Sequence, residues 1–157
     1  MTEIEIFSVS LSGKEFDENI LRQIDKAIPY HIVFILEYEG KYQARIGYKE
    51  QNEKNDTFKV SRYFQTEWLM WEELPLSIDG MNLDTVYENF VRQIAGKALV
   101  GENDETLKST MERNQKRTDL EKRIAMLQKK ISREKQFNKK VELKSQLKAL
   151  MQQLKEC

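Results

Sequence analysis

Residues 31–39 (HIVFILEYE) decide the fold, because they form the most apolar run in the chain and are rich in β-branched and aromatic side chains. This composition predicts a central β-strand. Gly40 and Lys41 follow and predict a tight turn, and residues 42–48 (YQARIGY) predict the returning strand of a hairpin. The sheet is therefore expected to extend outward from this hairpin.

The segment before the hairpin predicts a strand and a helix. Residues 2–11 begin with alternating apolar and polar side chains, which is the period of a half-buried strand. Residues 12–15 (SGKE) have the spacing of a capping box. Apolar residues then recur at helical spacing until Pro29, which predicts an amphipathic helix covering one face of the sheet.

The segment after the hairpin completes a small domain. Residues 57–64 predict a fourth strand, and Asn82 is a suitable cap for a second helix with an apolar stripe, which Gly101 is expected to end. Residues 1–100 thus follow the order β-α-β-β-β-α. This order predicts an α+β fold, a mixed α/β layer in which two helices pack on a sheet of about four strands.

Residues 101–157 predict a basic, coiled-coil-like helical tail. From residue 102 onward there is no glycine or proline, and strong helix formers dominate. Two apolar sets have coiled-coil spacing: Leu120, Ile124, Leu127 and Ile131, then Leu143, Leu147, Leu150 and Leu154. The sets lie roughly 120° apart around one continuous helix. We therefore expect either a break near residues 132–138 that makes a hairpin, or a long discontinuous helix whose halves touch different partners; the second is favoured.

The zero net charge of the 157-residue chain conceals an asymmetry. Residues 1–100 hold 11 Lys/Arg and 17 Asp/Glu, whereas residues 101–157 hold 15 Lys/Arg and 9 Asp/Glu. The first part is therefore acidic (net −6) and the tail basic (net +6). This asymmetry permits a polyanionic partner for the tail.

Composition also bounds the compartment and the cofactors. No run of apolar residues is long enough to span a membrane, and residues 1–5 (MTEIE) do not resemble a signal peptide. The single cysteine, Cys157, indicates a reducing compartment, so we predict a cytoplasmic protein. With one cysteine and one histidine, His31, which is expected at a strand edge, neither a transition-metal site nor another cofactor is predicted.

Motifs for catalysis are weak. The glycines form no phosphate loop, and there is no nucleophile elbow. The sharpest enzymatic hypothesis is a magnesium-dependent nuclease that uses Asp25, Glu39 and Lys41, with Glu37 nearby. A polar hairpin turn explains the same residues more simply, so no catalytic residue is assigned and a binding role is favoured over catalysis.

Two tryptophans, Trp68 and Trp71, follow the predicted fourth strand. They fit either the seam between a helix and the sheet or an exposed anchor for a partner. We expect them in the core, because most tryptophans are largely buried.

The tail provides the candidate binding sites. A predicted partner-binding surface, for another protein or for self-association, comprises Phe137, Val141, Leu143, Leu147, Leu150 and Leu154. A predicted nucleic-acid-binding stripe comprises Lys129, Lys130, Arg133, Lys135, Lys139 and Lys140. Clustered cations of this kind bind phosphate backbones through counterion release, but they also occur on the solvated faces of coiled coils.

Five segments resemble a bacterial and archaeal family of domains of unknown function. They are residues 4–7 (IEIF), 24–30 (IDKAIPY), 63–68 (YFQTEW), 74–76 (LPL) and 133–143 (REKQFNKKVEL). Members of that family are often encoded near DNA methyltransferases and helicases of restriction or phage-defence systems. The resemblance implies a setting and no catalytic residues. Members carry further sequence before the first strand, so the chain is expected to be a short relative or a fragment.

The sequence therefore predicts an accessory or interaction protein that joins a DNA-modification or defence complex through its helical tail. Direct nucleic-acid binding is the first alternative, and a divergent magnesium-dependent nuclease the second. A coiled-coil homodimer also stays open, because an apolar seam must be buried against something.

Overall fold

The computed structural model describes residues 2–51, 58–99 and 105–157. The chain divides into two compact units, Met1–Ala98 and Leu99–Cys157, which we call the sheet unit and the hairpin unit. A four-stranded mixed sheet is followed by helices, so the predicted α+β class is confirmed.

The described residues of the sheet unit form four strands, two α-helices and two short 3₁₀ turns. In chain order they are β1 (Ile4–Ser10), α1 (Asn19–Ala27), β2 (His31–Tyr38), β3 (Lys41–Gln51), β4 (Phe58–Gln65), a 3₁₀ turn (Trp71–Glu73), α2 (Leu83–Ala95) and a second 3₁₀ turn (Gly96–Ala98). The strand order is β1-β2-β3-β4. β1 and β2 are parallel, as the crossover through α1 allows, and the other pairs are antiparallel.

The central strand β2 is buried on both faces, which explains why its sequence is continuously apolar. On the α1 face, Phe34 packs in a core cluster with Leu21 of α1. On the other face, Val33 and Ile35 line a cavity together with Phe90 of α2. The sheet is therefore a layer between two helices.

A two-residue turn joins β2 to β3. Tyr38 pairs with Lys41, and both turn residues have positive φ, 49° at Glu39 and 74° at Gly40. Such a turn matches the right-handed twist of the strands but strains a residue that has a side chain. Glu39 is therefore a turn residue.

Helix α1 begins later than the capping box predicted. The box at residues 12–15 is not used, and α1 starts at Asn19, whose N–H donates to Asp17 Oδ1 (2.9 Å). Helix α2 begins where predicted, since Asn82 Oδ1 accepts from the N–H of Thr85 (2.9 Å). It ends at Ala95; the predicted terminator Gly101 lies outside the described residues.

The hairpin unit contains α3 (Leu107–Arg133) and α4 (Phe137–Glu156), joined by residues 134–136. The two helices fold back on each other, and residues of both line a shared cleft. The favoured expectation of one long helix with a discontinuity is therefore wrong, and the alternative of a break near residues 132–138 that makes a hairpin is confirmed. The two leucine sets belong to different helices, so the angular offset calculated for one continuous helix has no consequence. Neither these helices nor any other in the described ranges is long and apolar enough to cross a membrane.

Candidate functional site

The most deeply buried charges of the sheet unit are Lys49 on β3 and Asp25 on α1. Lys49 Nζ lies 3.0 Å from Asp25 Oδ1, and the two side chains are 1% and 0% exposed. The ammonium of Lys49 is therefore the counter-charge of the buried Asp25 carboxylate. The ammonium also donates to the carbonyl oxygens of Asp25 (3.2 Å), Ile28 (3.3 Å) and Tyr30. Lys49 thereby satisfies carbonyls at the end of α1 that the helix leaves without donors.

Two tyrosines and a glycine complete this buried cluster. Tyr63 donates its hydroxyl proton to Asp25 Oδ2, and Tyr87 accepts from the N–H of Lys49 (3.0 Å) and donates to the Gly47 carbonyl (2.9 Å). Burial raises the pKa of both tyrosines. A Cβ at Gly47 would lie 2.9 Å from a Val60 methyl and 3.2 Å from Asp25 Oδ2. The cluster therefore ties both helices to β3 through contacts that leave no room for another group.

The residues of the nuclease hypothesis are not brought together. Asp25 contacts Lys49, which lies eight positions along β3 from Lys41, or roughly 27 Å at the rise of a strand. Glu39 occupies the turn beside Lys41, far from Asp25. In the described ranges, no group of three or more His, Cys, Asp or Glu side chains could hold a metal ion.

His31 and the tryptophans differ from their predicted environments. His31 is buried, and its ring contacts those of Tyr87 (centroids 4.1 Å apart) and Phe58 (5.5 Å). Burial, reinforced by the charge of Lys49, lowers the pKa of His31 to about 4. Trp68 is half-buried, but Trp71 is 58% exposed, so the expectation of a core position is wrong for Trp71.

The residues of the predicted partner-binding surface separate into two groups. Leu143 is buried, and the other three leucines, Leu147, Leu150 and Leu154, are half-buried on α4. Phe137 and Val141 are exposed, Phe137 to 78%. The leucines are thus largely covered within the folded chain, and the exposed members of the predicted partner-binding surface lie in the first turns of α4.

The predicted nucleic-acid-binding residues converge at the end of the hairpin where the helices join. Lys129, Lys130 and Arg133 end α3, Lys135 lies in the connection, and Lys139 and Lys140 belong to the start of α4. All are exposed except Lys140, which is half-buried. We call these six residues the basic tip.

The basic tip retains its positive charge. In the part of the chain that the structure describes, none of its six side chains forms an ion pair with a carboxylate. Between residues 122 and 141 the one acidic residue is Glu134, whose Oε1 accepts from the N–H of Gln136 (2.8 Å). That hydrogen bond, supported by the charges of Lys139 and Lys130, lowers the pKa of Glu134. Glu134 is thus engaged by the backbone of the connection.

This arrangement suits a polyanion. Exposed cations that several residues present at one end of a rigid element can neutralise successive phosphates. An exposed aromatic ring beside them, here Phe137, can stack on an unpaired base. The basic residues could be identified from the sequence. The helix break that brings them to one end of the hairpin was indicated only weakly, by a polar run that contains no glycine or proline.

Comparison with known protein families identifies a matching family. The model of the family described as "Domain of unknown function (DUF4391)" matches residues 1–154. No curated protein and no solved structure matches the chain.

Proposed function

The chain belongs to this family, and from the geometry of the hairpin unit we propose that it is an accessory nucleic-acid-binding protein. The basic tip contacts the phosphate backbone, and Phe137 lies against the nucleic acid beside it. The setting that we propose is a DNA-modification or defence complex in a bacterial cytoplasm, because the resemblance of residues 133–143 to the tails of such proteins implies it.

One observation carries the proposal: six basic side chains meet at one end of the hairpin, and none has a carboxylate partner in the described residues. A solvated coiled-coil face gives the alternative explanation, but such faces commonly interleave lysine with glutamate. From residue 122 to residue 141 the chain has one acidic residue. The charge is therefore concentrated rather than balanced, as phosphate binding requires.

The burial of leucines in the hairpin unit supports the same proposal. Their apolar seam was the main argument for a coiled-coil partner or a homodimer. Leu120 of α3 and Leu143 of α4 are buried within the chain itself, so much of the seam needs no partner. At this end of the hairpin a ligand can contact the basic side chains and the exposed apolar pair Phe137 and Val141.

Binding of labelled duplex and single-stranded DNA by the full chain, across a salt series, tests the proposal. Changing the six residues of the basic tip to glutamine should weaken binding about a hundredfold or more at low salt, and each lost phosphate contact should flatten the salt slope by about one unit. A matched control removes the same charge elsewhere on the hairpin unit by changing six other lysines to glutamine: Lys108, Lys116, Lys122, Lys144, Lys148 and Lys155. The control should retain most of the affinity.

An equal loss of DNA affinity in both variants would show that only the net charge of the hairpin unit matters. That result would contradict a specific site at the basic tip. Absence of binding, or binding insensitive to salt, would contradict nucleic-acid contact altogether. The exposure of Phe137 and Val141 favours a second candidate, docking of the tip on a larger DNA-processing protein. Changing both to alanine separates the two. Weaker DNA binding at an unchanged salt slope supports stacking of Phe137 on the nucleic acid, whereas unchanged DNA affinity with loss of co-purification supports docking on a protein partner.

A further inference from the structure

An open apolar cavity lies in the sheet unit on the α2 side of the sheet. Its volume is about 290 Å³, and its walls include Ile6 of β1, Val33 and Ile35 of β2, and the side chains of Trp71, Leu76 and Ile78. Ile6 and Trp71 are each 58% exposed and Ile78 is 83% exposed, so the mouth of the cavity is itself apolar. Apolar side chains gathered around one opening are typical of interaction sites.

The segment that forms one wall, which includes Leu76 and Ile78, is fixed by hydrogen bonds from side chains of α2. Gln93 of α2 accepts from the N–H of Ser77 (3.0 Å) and donates to the Ser77 carbonyl (3.2 Å) and hydroxyl (2.9 Å). Asn89 donates to the Asp79 carbonyl (2.8 Å). Trp71 packs edge-on against Tyr42, with ring centroids 5.2 Å apart. The cavity is therefore preformed, which lowers the entropy cost of filling it.

The surroundings of the cavity are acidic. From residue 63 to residue 91 the chain has six acidic residues and no lysine or arginine. Glu72 and Asp79 are exposed and flank wall residues in the chain. A ligand for this site must therefore bring positive charge next to an apolar group.

The size and position of the cavity favour a peptide. The volume of about 290 Å³ lies at the lower end of the range of roughly 300–1,000 Å³ for small-molecule pockets, and it also accommodates one large apolar side chain. β1 is the first strand in the sheet order, and no other described strand pairs with its outer edge. Such an edge can accept the backbone of an extended segment.

We propose that this cavity is a docking site for an extended, basic segment of a partner protein, which places one aromatic or aliphatic side chain between Ile6, Trp71 and Ile78. The occupant lies along β1, its apolar side chain fills the cavity, and its lysine or arginine residues face the acidic surroundings. This site is separate from the basic tip, and its test does not depend on nucleic-acid binding.

Three short synthetic peptides test the site on the full chain by fluorescence anisotropy. Each has a phenylalanine between two valines, flanked on both sides by two lysines, two serines or two glutamates. The lysine peptide should bind about tenfold or more tightly than the serine peptide, and added salt should weaken it. Ile78→Ser should lower its affinity about tenfold, whereas Met81→Ser, a matched change of an exposed apolar residue outside the cavity walls, should not.

Two double variants test whether the acidic residues near the cavity are needed to bind the lysine peptide. Glu72→Gln combined with Asp79→Asn should weaken the lysine peptide and leave the serine peptide unchanged, while Glu15→Gln combined with Glu112→Gln should affect neither. Three results would overturn the proposal: no binding of the lysine peptide up to about 1 mM, equal binding of the lysine and glutamate peptides, or unchanged affinity in Ile78→Ser with circular dichroism showing an intact fold.

Discussion

The sheet unit and the hairpin unit hold their charged side chains in opposite ways. In the sheet unit, Lys49 and Asp25 are fully enclosed, and the ammonium is held by three carbonyl oxygens and a carboxylate. In the hairpin unit, the lysines of the basic tip are mostly exposed and form no ion pair in the described ranges. The first group of charges builds the fold, and the second is free for a ligand.

The difference follows from the cost of desolvation. A buried charge costs several kcal/mol to dehydrate, so it persists only where partners compensate it, and the removal of one partner exposes that cost. An exposed lysine has no such cost and contributes little to stability. Burial therefore separates structural from functional charges more reliably than residue type does, and three changes test how far the separation holds.

The largest expected effect is at Lys49. Lys49→Met should lower the free energy of unfolding by about 3–5 kcal/mol, because Asp25 stays buried without its counter-charge and the carbonyls at the end of α1 lose their donor. Lys135→Met in the basic tip should change it by less than about 0.5 kcal/mol. Urea denaturation of both variants measures the contrast.

Adding Asp25→Asn to Lys49→Met should restore part of the lost stability, since the unpaired charge is then gone. Equal and small effects at Lys49 and Lys135 would show that the buried pair is not structural and would remove the contrast between the units.

The second effect is a pH dependence between pH 7 and pH 5 that arises in the sheet unit, which contains the one histidine of the chain. The folded state holds the pKa of His31 at about 4, below its ordinary value of 6.5, so the unfolded state binds more protons between these values. Stability is fully present above pH 6.5 and is lost as the pH falls toward 4.

Between pH 7 and pH 5 the wild type should lose on the order of 2 kcal/mol more than His31→Gln, as urea denaturation at both pH values would measure. The comparison uses the difference between two pH values, so a constant cost of the substitution cancels. Parallel pH profiles for the two proteins would show that His31 titrates normally in the folded state.

The smallest expected effect on stability concerns the N-terminal caps of one helix in each unit. Asn82 caps α2 with a side-chain hydrogen bond, whereas Gln136 at the start of α4 makes none. Asn82→Ala should cost about 1 kcal/mol, and Gln136→Asp should stabilise the hairpin unit by up to about 1 kcal/mol. Thermal unfolding followed by circular dichroism measures both. A stabilising Asn82→Ala, or a destabilising Gln136→Asp, would show that local capping does not limit these helices.

The parts of the fold that depend on local signals were predictable from the sequence. The apolar run of β2, a hairpin turn at Gly40 and the Asn82 cap each follow from their own residues, although the turn lies at Glu39 and Gly40 and not at the predicted Gly40 and Lys41. The end of β3 was not, because residues 49–51 (KEQ) look like a loop and the register shifts between Tyr48 and Lys49. The burial of Lys49 depends on the Asp25 carboxylate and on carbonyl oxygens at the end of α1, all of which are distant from Lys49 in sequence.

The residues of the candidate site could be predicted from the sequence, but their arrangement in space could not. Its lysines and Phe137 were identified, but their convergence depends on the break at residues 134–136. The exposed position of Trp71 could not be inferred either, because it results from the course of a connecting segment that side chains on α2 hold in place. Tertiary contacts, rather than local propensity, decided both.

The enclosure of Lys49 has a chemical consequence. Acylating reagents attack the neutral amine of lysine, and the ammonium of Lys49 is surrounded by oxygen atoms and is only 1% accessible to solvent. The exposed lysines of the basic tip should therefore be modified quickly, and Lys49 only when α1 separates from β3. The acylation rate of Lys49 thus measures how often the sheet unit opens. The acylation rate of the exposed lysines of the basic tip provides the internal reference.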